Sequence, residues 1–68
     1  MQKQAAFSIG EKIMYYRRGA CFRATVREDL GVLRGAGRRY RITPRDGERA
    51  LDYFVFDVAE RFLVRAED

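Results

Sequence analysis

The feature that most constrains the fold of this chain is a strict alternation of apolar and polar side chains over residues 21–28. The alternating run is Phe22, Arg23, Ala24, Thr25, Val26 and Arg27. Because successive side chains of a β-strand point to opposite faces, this period of two places the apolar members on a core and the polar members in solvent. Residues 38–43 repeat the pattern, with Tyr40 and Ile42 inward and Arg39, Arg41 and Thr43 outward. Both runs therefore predict strands with one buried face and one arginine-bearing face.

Turn-forming residues divide the rest of the chain into further short segments. Residues 12–17 are β-prone and aromatic, and Arg18-Gly19-Ala20 interrupts them, which predicts a short hairpin or loop. Residues 30–37 contain three glycines and predict a loop between strands. Pro44-Arg45-Asp46-Gly47 predicts a turn, because proline presets one backbone angle and Asp-Gly favours a tight reversal. Residues 1–6 are expected to form a disordered N-terminal tail.

The final stretch of the chain, from residue 50 to residue 65, allows two interpretations. Leu51, Val55, Val58 and Phe62 recur near helical spacing, which is compatible with one long amphipathic helix. The compact aromatic and β-branched run Tyr53-Phe54-Val55-Phe56, which directly follows a turn, favours a strand instead. We expect a strand at 51–56, a helical turn at 57–61 and a short closing strand at 62–65.

These elements predict a single all-β domain over residues 7–65, a five-stranded barrel with a short helical turn before its last strand. Closure of a barrel removes the exposed strand edges that invite aggregation. A chain of 68 residues buries only about 60% of the surface that it exposes when unfolded, so small domains usually need a disulfide, a metal or a partner. Cys21 is the only cysteine and histidine is absent, so we expect no disulfide within the chain, no zinc site and no cofactor. A lone cysteine, without an apolar leader or a membrane-length apolar run, predicts a cytoplasmic protein.

Arginine is concentrated in the middle of the sequence. Residues 17–49 hold ten arginines against four acidic residues, and the whole chain has a formal net charge of +4. Arginine presents a planar fork that suits phosphate or carboxylate groups. The sequence therefore predicts a basic surface that binds nucleic acid or an acidic protein partner. Its expected members are Arg17, Arg18, Arg23, Arg27, Arg34, Arg38, Arg39 and Arg41. The alternative is a basic surface paired with the protein's own acids, such as Glu28, Asp52 and Glu60.

The aromatic run near the C-terminus is a second candidate surface. In a strand, Tyr53 and Val55 would face one side, and Phe54 and Phe56 the other. One pair would fill the core and the other would need cover, since exposed rows of aromatic side chains often mark interfaces. Tyr53, Phe54 and Phe56 are therefore the candidate interface residues. The interface could join this chain to another protein or to a second copy of itself.

Catalysis is not expected, because the chain has no histidine for the common acid–base and nucleophilic mechanisms. Asp46, Glu48 and Asp52 lie close together in sequence, but a solvated turn explains them better than a cation site. Cys21 next to Arg23 allows a reactive thiol, although a small structural residue is the preferred interpretation. Gly31, Gly35 and Gly37 match no phosphate-loop pattern, so a flexible basic loop is preferred there. No small-molecule substrate is expected.

Several motifs resemble those of SH3-like and Tudor-like barrels across about residues 7–65. These are Phe7-x-x-Gly10-x-x-Ile13, the strand Cys21–Val26, Tyr40-x-Ile42 with its Asp-Gly turn, and the late apolar strand with a helical turn. The opening, with Phe7, Gly10, Ile13, Tyr15 and Gly19, also resembles the RNA-polymerase-interacting domain of CarD-type transcription factors. That resemblance implies a Tudor-like fold working in a transcription complex.

Two further resemblances bear on ligands. The segments Phe7–Ile13 and Phe54–Ala59 resemble the plasmid-type (type II) dihydrofolate reductases, but Phe54-Val55-Phe56 stands where their Gln-Ile-Tyr motif would fall. This implies a shared fold without their chemistry. Tudor domains proper hold methylated Lys or Arg in an aromatic cage, for which Tyr15, Tyr16, Phe22 and Tyr40 are the candidate rings. The leading hypothesis is a non-enzymatic binding module for nucleic acid or a transcription-type complex, and the alternative is a protein-interaction or homo-oligomeric structural subunit.

Overall fold

The computed structural model describes residues 6–35 and 37–66, and 65% of these residues lie in β-strands. This described part of the chain is all-β, as predicted, with six antiparallel strands rather than five. The strands are β1 (Lys12–Arg17), β2 (Ala20–Leu33), β3 (Gly37–Asp46), β4 (Arg49–Ala50), β5 (Phe56–Ala59) and β6 (Leu63–Arg65). A 3-10 helix, Glu60–Phe62, separates β5 from β6. Of the expected N-terminal tail, residues 1–5 lie outside the described residues, whereas Ala6 packs against the core.

The sheet follows the order β4-β3-β2-β1-β6, and β5 pairs with the edge of β3 that faces away from β2. β6 returns to β1 and pairs with Ile13, Met14 and Tyr15 only. Within the two described ranges no ladder joins β6 to β4 or β5, so the sheet is not closed. The expectation of a closed five-stranded barrel is therefore not met, because the last strand is too short to complete the ring of hydrogen bonds.

The core forms on one face of the two long strands, where the sequence predicted it. Ala24 and Val26 of β2 and Tyr40 and Ile42 of β3 are completely buried. Val26 pairs directly with Ile42, which brings the two apolar sets into register. The remaining core members come from the N-terminal segment, β1, β5 and β6: they are Phe7, Ile13, Tyr15, Val58 and Leu63. The period-two pattern thus identified the inward residues of both long strands.

Thr43 is an exception, because the alternation placed it outward and the structure buries it. It pairs directly with Thr25 on the outer face of the sheet. Arg45 lies on this face two residues later and is itself only 8% exposed; its guanidinium donates to the Thr25 hydroxyl at 3.4 Å. The face that the pattern assigned to solvent therefore carries two largely buried side chains, those of Thr43 and Arg45. The Thr43 hydroxyl has no hydrogen-bond partner among the described residues.

Two predicted connections are wrong in position. Residues 30–33, expected in a loop, continue β2, which contains irregularities between Val26 and Glu28 and between Asp29 and Gly31. Gly31 has φ +81° and its N–H donates to the Asp29 carboxylate at 2.9 Å, so this glycine allows a bulge rather than a loop. The turn expected at 44–47 lies at 47–48 instead, because residues 44–46 still belong to β3.

The predicted strand at 51–56 is also wrong, as is the alternative long helix. The Leu51 N–H donates to the Pro44 carbonyl at 2.8 Å, and the Phe54 N–H donates to the Leu51 carbonyl at 3.0 Å. These bonds form a turn before the strand, so β5 begins only at Phe56. The helical turn is displaced to 60–62, and the closing strand at 63–65 agrees with the prediction within one residue. The described part of the chain has no helix of the length and apolar character needed to cross a membrane.

The hairpin between β1 and β2 has a two-residue loop. Arg17 pairs with Ala20, and the loop residues Arg18 and Gly19 have φ +50° and +79°. Positive φ at both central positions is the type I′ geometry, whose twist matches that of the flanking strands. Glycine, asparagine or aspartate usually occupies the first position, whereas this chain places an arginine there.

Candidate ligand-binding groove

An open groove of about 630 Å³ lies where the core reaches the surface, between the β1–β2 hairpin and β5. Its lining residues are Tyr15, Arg17, Phe22, Arg41, Val55, Phe56, Asp57 and Val58. Arg17 follows Tyr15 by two residues, so both side chains lie on the core side of β1. By the same period, Phe56 lies on the face of β5 that also carries buried Val58. The groove is therefore an opening from the protein surface to the core, and Arg17 lies at its edge.

The groove remains open because the neighbouring strands are short. β6 pairs with β1 only as far as Tyr15, so in the described chain Tyr16 and Arg17 have a ladder partner on the β2 side alone. β5 pairs with β3 through four residues and has no described partner on its other edge. No strand formed by residues 6–35 or 37–66 therefore covers the space between the end of β1 and β5.

Aromatic rings form the floor of the groove and continue beyond it. The rings of Tyr15 and Phe22 stack with centroids 4.9 Å apart, and Phe22 and Phe56 are 6.3 Å apart. A second hollow, of about 290 Å³, shares Phe22 and Phe56 with the first. Its other lining residues are Pro44, Leu51 and Phe54. We call the two adjoining hollows together the aromatic groove.

Arg17 lines the aromatic groove at its hairpin end, and two further arginines lie beside Arg17 and the Phe62 ring. The guanidinium carbon of Arg17 is 5.4 Å from the centre of the Phe62 ring, and that of Arg61 is 4.9 Å from the same centre. Arg18 shares a surface hollow with Arg17 and Phe62. Among the described residues, none of the three has a carboxylate within 4.0 Å. We call Arg17, Arg18 and Arg61 the arginine cluster; its positive charge is not neutralised by described acidic residues.

Other arginines of the predicted basic surface are held by the protein's own acids. Nη1 of Arg38 lies 2.7 Å from one Asp29 carboxylate oxygen and 2.8 Å from the other, and its side chain is only 18% exposed. The Gly31 N–H and then Arg38 hold the pKa of Asp29 below its usual range, since both favour the charged carboxylate. Arg27 pairs with Asp52 at 3.3 Å. In both pairs a neighbouring carboxylate compensates the charge of the arginine.

On the outer face of β3, Arg41 is paired with acidic side chains, whereas Arg39 donates to a backbone carbonyl and has no described carboxylate within 4.0 Å. Arg41 donates to the Asp57 carboxylate at 3.0 Å and to Glu28 at 2.9 Å, and Arg39 donates to the Asp57 carbonyl at 3.0 Å. The hydrogen bond from Arg41 lowers the pKa of Asp57. Internal pairing, which was the alternative interpretation of the basic surface, therefore applies to Arg41 but not to Arg39.

The structure does not bring the eight predicted arginines together. Arg17 lines the aromatic groove and Arg18 follows it in the hairpin loop. Arg27, Arg38 and Arg41 are paired with carboxylates, and Arg39 donates to a backbone carbonyl. Arg23 is exposed on the face of β2 opposite Phe22, in a hollow that also contains Lys12 and Glu48. Arg34 is exposed in the turn between β2 and β3. Arg23 and Arg34 are thus exposed cations remote from the aromatic groove.

The three predicted interface residues are all exposed. Tyr53 is 73% exposed, Phe54 47% and Phe56 44%, so neither of the two expected pairs fills the core. That expectation required a continuous strand, and the turn at 52–53 removes it. Phe54 and Phe56 line the aromatic groove, whereas Tyr53 lies outside it with its ring 4.6 Å from that of Phe54.

The candidate aromatic cage does not assemble from its four rings. Tyr15 and Phe22 stack in the groove, but Tyr40 is completely buried and packs against Phe7. Tyr16 is exposed and lies across the hairpin from Cys21; a hydrogen bond between these two side chains raises the pKa of Tyr16.

The acidic residues near the second hairpin do not converge on a cation site. Glu48 accepts from Lys12 at 3.1 Å and lies 3.2 Å from Arg45, and the hydrogen bond from Lys12 contributes most to lowering its pKa. Asp52 pairs with Arg27. Within residues 6–35 and 37–66, no group of three His, Cys, Asp or Glu side chains is arranged to hold a metal ion.

Sequence reasoning missed Arg61, Phe62, Pro44 and Leu51 as residues of this region. For Arg61 and Phe62 the sequence contained a partial indication, because a helical turn was expected close to them, before the last strand. Their position beside Arg17 depends on β6 pairing back to β1, which periodicity does not reveal. Pro44 and Leu51 meet because the Leu51 N–H bonds to the Pro44 carbonyl.

Comparison of the chain with known protein families, with curated proteins and with solved structures gives no match in any of the three. The functional conclusion for this chain is therefore drawn from its own residues.

Proposed function

We propose that this chain is a non-enzymatic, SH3-like binding module that binds nucleic acid through the arginine cluster and the adjoining aromatic groove. The SH3-like assignment is supported by the consecutive antiparallel strands β1, β2 and β3, by the return of β6 to β1 and by the 3-10 helix directly before the last strand. The nucleic-acid assignment is supported by the chemistry of the groove and its rim.

The observation that carries the proposal is the coincidence of unpaired arginines with accessible rings. Arg27, Arg38 and Arg41 lie within 3.3 Å of described carboxylates, whereas Arg17 and Arg61 lie on an aromatic ring instead. A phosphate group is attracted where guanidinium charge is not already compensated, and displaced counterions add to the free energy of binding. Aromatic side chains next to such cations provide stacking surfaces for bases.

Backbone strain at Arg18 supports the same conclusion. A non-glycine residue in the left-handed region costs about 1–2 kcal/mol, and Arg18 has φ +50°. Its side chain is exposed beside Arg17, so packing does not explain an arginine at this position. Strained residues concentrate at functional sites, where their side chains are used for something other than stability. A phosphate contact at the tip of the hairpin would be such a use.

A protein partner is the second candidate, favoured by the exposure of Tyr53. Tyr53 is 73% exposed. It lies beside Phe54 but outside the lining of the groove, so a base stacked on Phe56 would not cover its ring. Tyrosine and phenylalanine are enriched in protein interfaces. This candidate corresponds to the interaction-subunit hypothesis and predicts binding that changes little with salt.

Fluorescence anisotropy with labelled oligonucleotides over a series of salt concentrations tests the proposal. We expect binding that weakens as salt rises, and a loss of about tenfold or more in affinity for the double variant Arg17→Gln/Arg18→Gln at 0.1 M salt. The matched control is Arg23→Gln/Arg34→Gln, which removes the same charge from exposed sites remote from the groove, and we expect it to lose about twofold or less. Absence of binding, or equal losses in both double variants, would contradict a nucleic-acid site at the arginine cluster.

A further inference from the structure

We propose that the nucleic acid bound by this chain is single-stranded and that its bases occupy the aromatic groove while its phosphates contact the arginine cluster. This inference rests on the proposed function and adds the class of ligand. In a duplex each base face is covered by its neighbours, so a protein ring cannot stack on it; in a single strand the faces are available.

The arrangement of the rings favours a strand that crosses the groove. Phe22 and Phe56 are shared by the two hollows, and Phe54 lines the outer one. The hollows hold about 630 and 290 Å³, and together they reach the upper part of the range of small-ligand pockets, about 300–1,000 Å³. Two neighbouring sites with a common ring wall suit successive bases better than one compact ligand.

The distribution of charge divides the surface into a rim for phosphates and a floor for bases. Asp57 is the acidic residue that lines the larger hollow, and its carboxylate is paired with Arg41 at 3.0 Å, so the wall there is nearly neutral. Asp52, next to the outer hollow in sequence, is paired with Arg27. Arg17, Arg18 and Arg61 together place three cations without a described ionic partner at the hairpin end. Arg23, Arg34 and Arg49 also lack a described ionic partner, but none of them lines either hollow. Neutral rings beside a localised cationic rim match the alternation of base and phosphate along a single strand.

Charge complementarity favours a nucleic acid over a second copy of this chain as the occupant of the aromatic groove. A second copy would bring its own formal net charge of +4 to the arginine cluster, whereas a strand of nucleic acid brings phosphates. An open aromatic surface with cations at one end therefore fits an extended anionic polymer.

Four probes test the inference with the full chain: a 12-nucleotide oligo(dT), a blunt 12-base-pair duplex, inorganic polyphosphate and a decaglutamate peptide. We expect oligo(dT) to bind at least tenfold more tightly than the duplex or the polyphosphate, and the peptide to bind more weakly still. With three phosphate contacts, the logarithm of the affinity for oligo(dT) should fall with the logarithm of salt concentration with a slope of about −2.

Substitutions at Phe56 then report on stacking. Phe56→Trp retains a ring and introduces a fluorophore into a chain without tryptophan; we expect oligo(dT), but not polyphosphate, to quench it. Phe56→Leu removes the ring, and we expect affinity for oligo(dT) to fall about tenfold with the salt slope unchanged. Arg17→Gln/Arg18→Gln should instead reduce the magnitude of the slope by about 1.4. Phe54→Leu is the second ring variant, used if Phe56→Leu lowers the unfolding midpoint, and it should also weaken oligo(dT) binding.

The outcomes separate this inference from the function on which it rests. Equal binding of oligo(dT), duplex and polyphosphate, with no effect of Phe56→Leu and no quenching of Phe56→Trp, would overturn the single-strand inference and leave a general nucleic-acid module. Binding of decaglutamate alone would overturn both. Both would also be overturned if no nucleic acid bound and sedimentation velocity detected a dimer that the Phe56→Leu substitution dissociates.

Discussion

The two ends of the sheet carry aromatic clusters that differ in one respect: one is sealed by the chain itself and the other is open. At the sealed end Phe7 packs edge-on against Tyr40, with centroids 5.5 Å apart and planes at 77°. The Tyr40 hydroxyl accepts from the Phe7 N–H at 3.3 Å and donates to the Glu60 carboxylate at 3.1 Å. In the aromatic groove, Phe22 and Phe56 meet at 6.3 Å and Phe56 is 44% exposed. Similar residues thus act as core at one end and as accessible surface at the other.

The difference arises from the connections at each end. The N-terminal segment crosses the sealed end and is fixed to β2 by two backbone bonds, from the Gly10 N–H to the Val26 carbonyl and from the Val26 N–H to the Glu11 carbonyl. Arg65 holds the same segment, because it donates to Glu11 at 2.8 Å and to the Ala6 carbonyl at 2.6 Å. The groove end has the two-residue loop Arg18–Gly19, which is too short to fold back over the rings. The described chain therefore leaves these rings partly exposed.

The largest expected effect is on stability, when a phenylalanine is replaced by alanine at each end of the sheet in turn. Phe7→Ala should lower the free energy of unfolding by about 3 kcal/mol, since it opens a cavity beside Tyr40 and loses buried apolar area. Phe56→Ala should cost less than about 1 kcal/mol, because its ring is already partly in solvent. Urea denaturation followed by circular dichroism measures both. Equal costs would mean that the groove is as much part of the core as the sealed end.

An intermediate effect is expected when the hydroxyl alone is removed from a tyrosine. Tyr40→Phe should cost about 1–2 kcal/mol, because the buried Phe7 N–H loses its acceptor and Glu60 loses its donor. Burial, which raises the pKa of Tyr40, keeps its hydroxyl protonated and able to donate. The control is Tyr53→Phe, whose ring is 73% exposed and which should change stability by less than about 0.5 kcal/mol. A Tyr40→Phe protein as stable as the unsubstituted chain would show that the sealed end depends on ring packing alone.

The smallest expected effect is a gain in stability at the open end. Arg18→Asn should raise the free energy of unfolding by about 0.5–1 kcal/mol, because asparagine tolerates the left-handed region better than arginine does. The same variant should bind oligonucleotides more weakly, since it removes a cation of the arginine cluster. Thermal unfolding and anisotropy on one protein sample measure the two changes together. A variant that loses both stability and affinity would contradict strain at this position, and one that gains both would contradict a binding role for Arg18.

Periodicity predicted the two long strands and their inward residues because every second position of β2 and β3 faces one common core. It failed at Thr43, which is buried on the same face as the largely buried Arg45 side chain, and at residues 30–33, where bulges let β2 continue through a glycine. It also failed over 51–55, because the bond from Leu51 to Pro44 joins residues seven apart and ends the apolar run as a strand. In each case a contact between separate segments overrode the local pattern.

The amino-acid sequence by itself determined that the chain is all-β, that Ala24, Val26, Tyr40 and Ile42 face inward and that arginine is the dominant charged side chain. These properties follow from local alternation and composition, and they do not depend on how strands are arranged. Only the tertiary structure decided which arginines remain unpaired and which rings remain open. Ion pairs and ring contacts form between strands distant in sequence, so whether a side chain meets a partner or solvent depends on sheet order and on the length of the last strand.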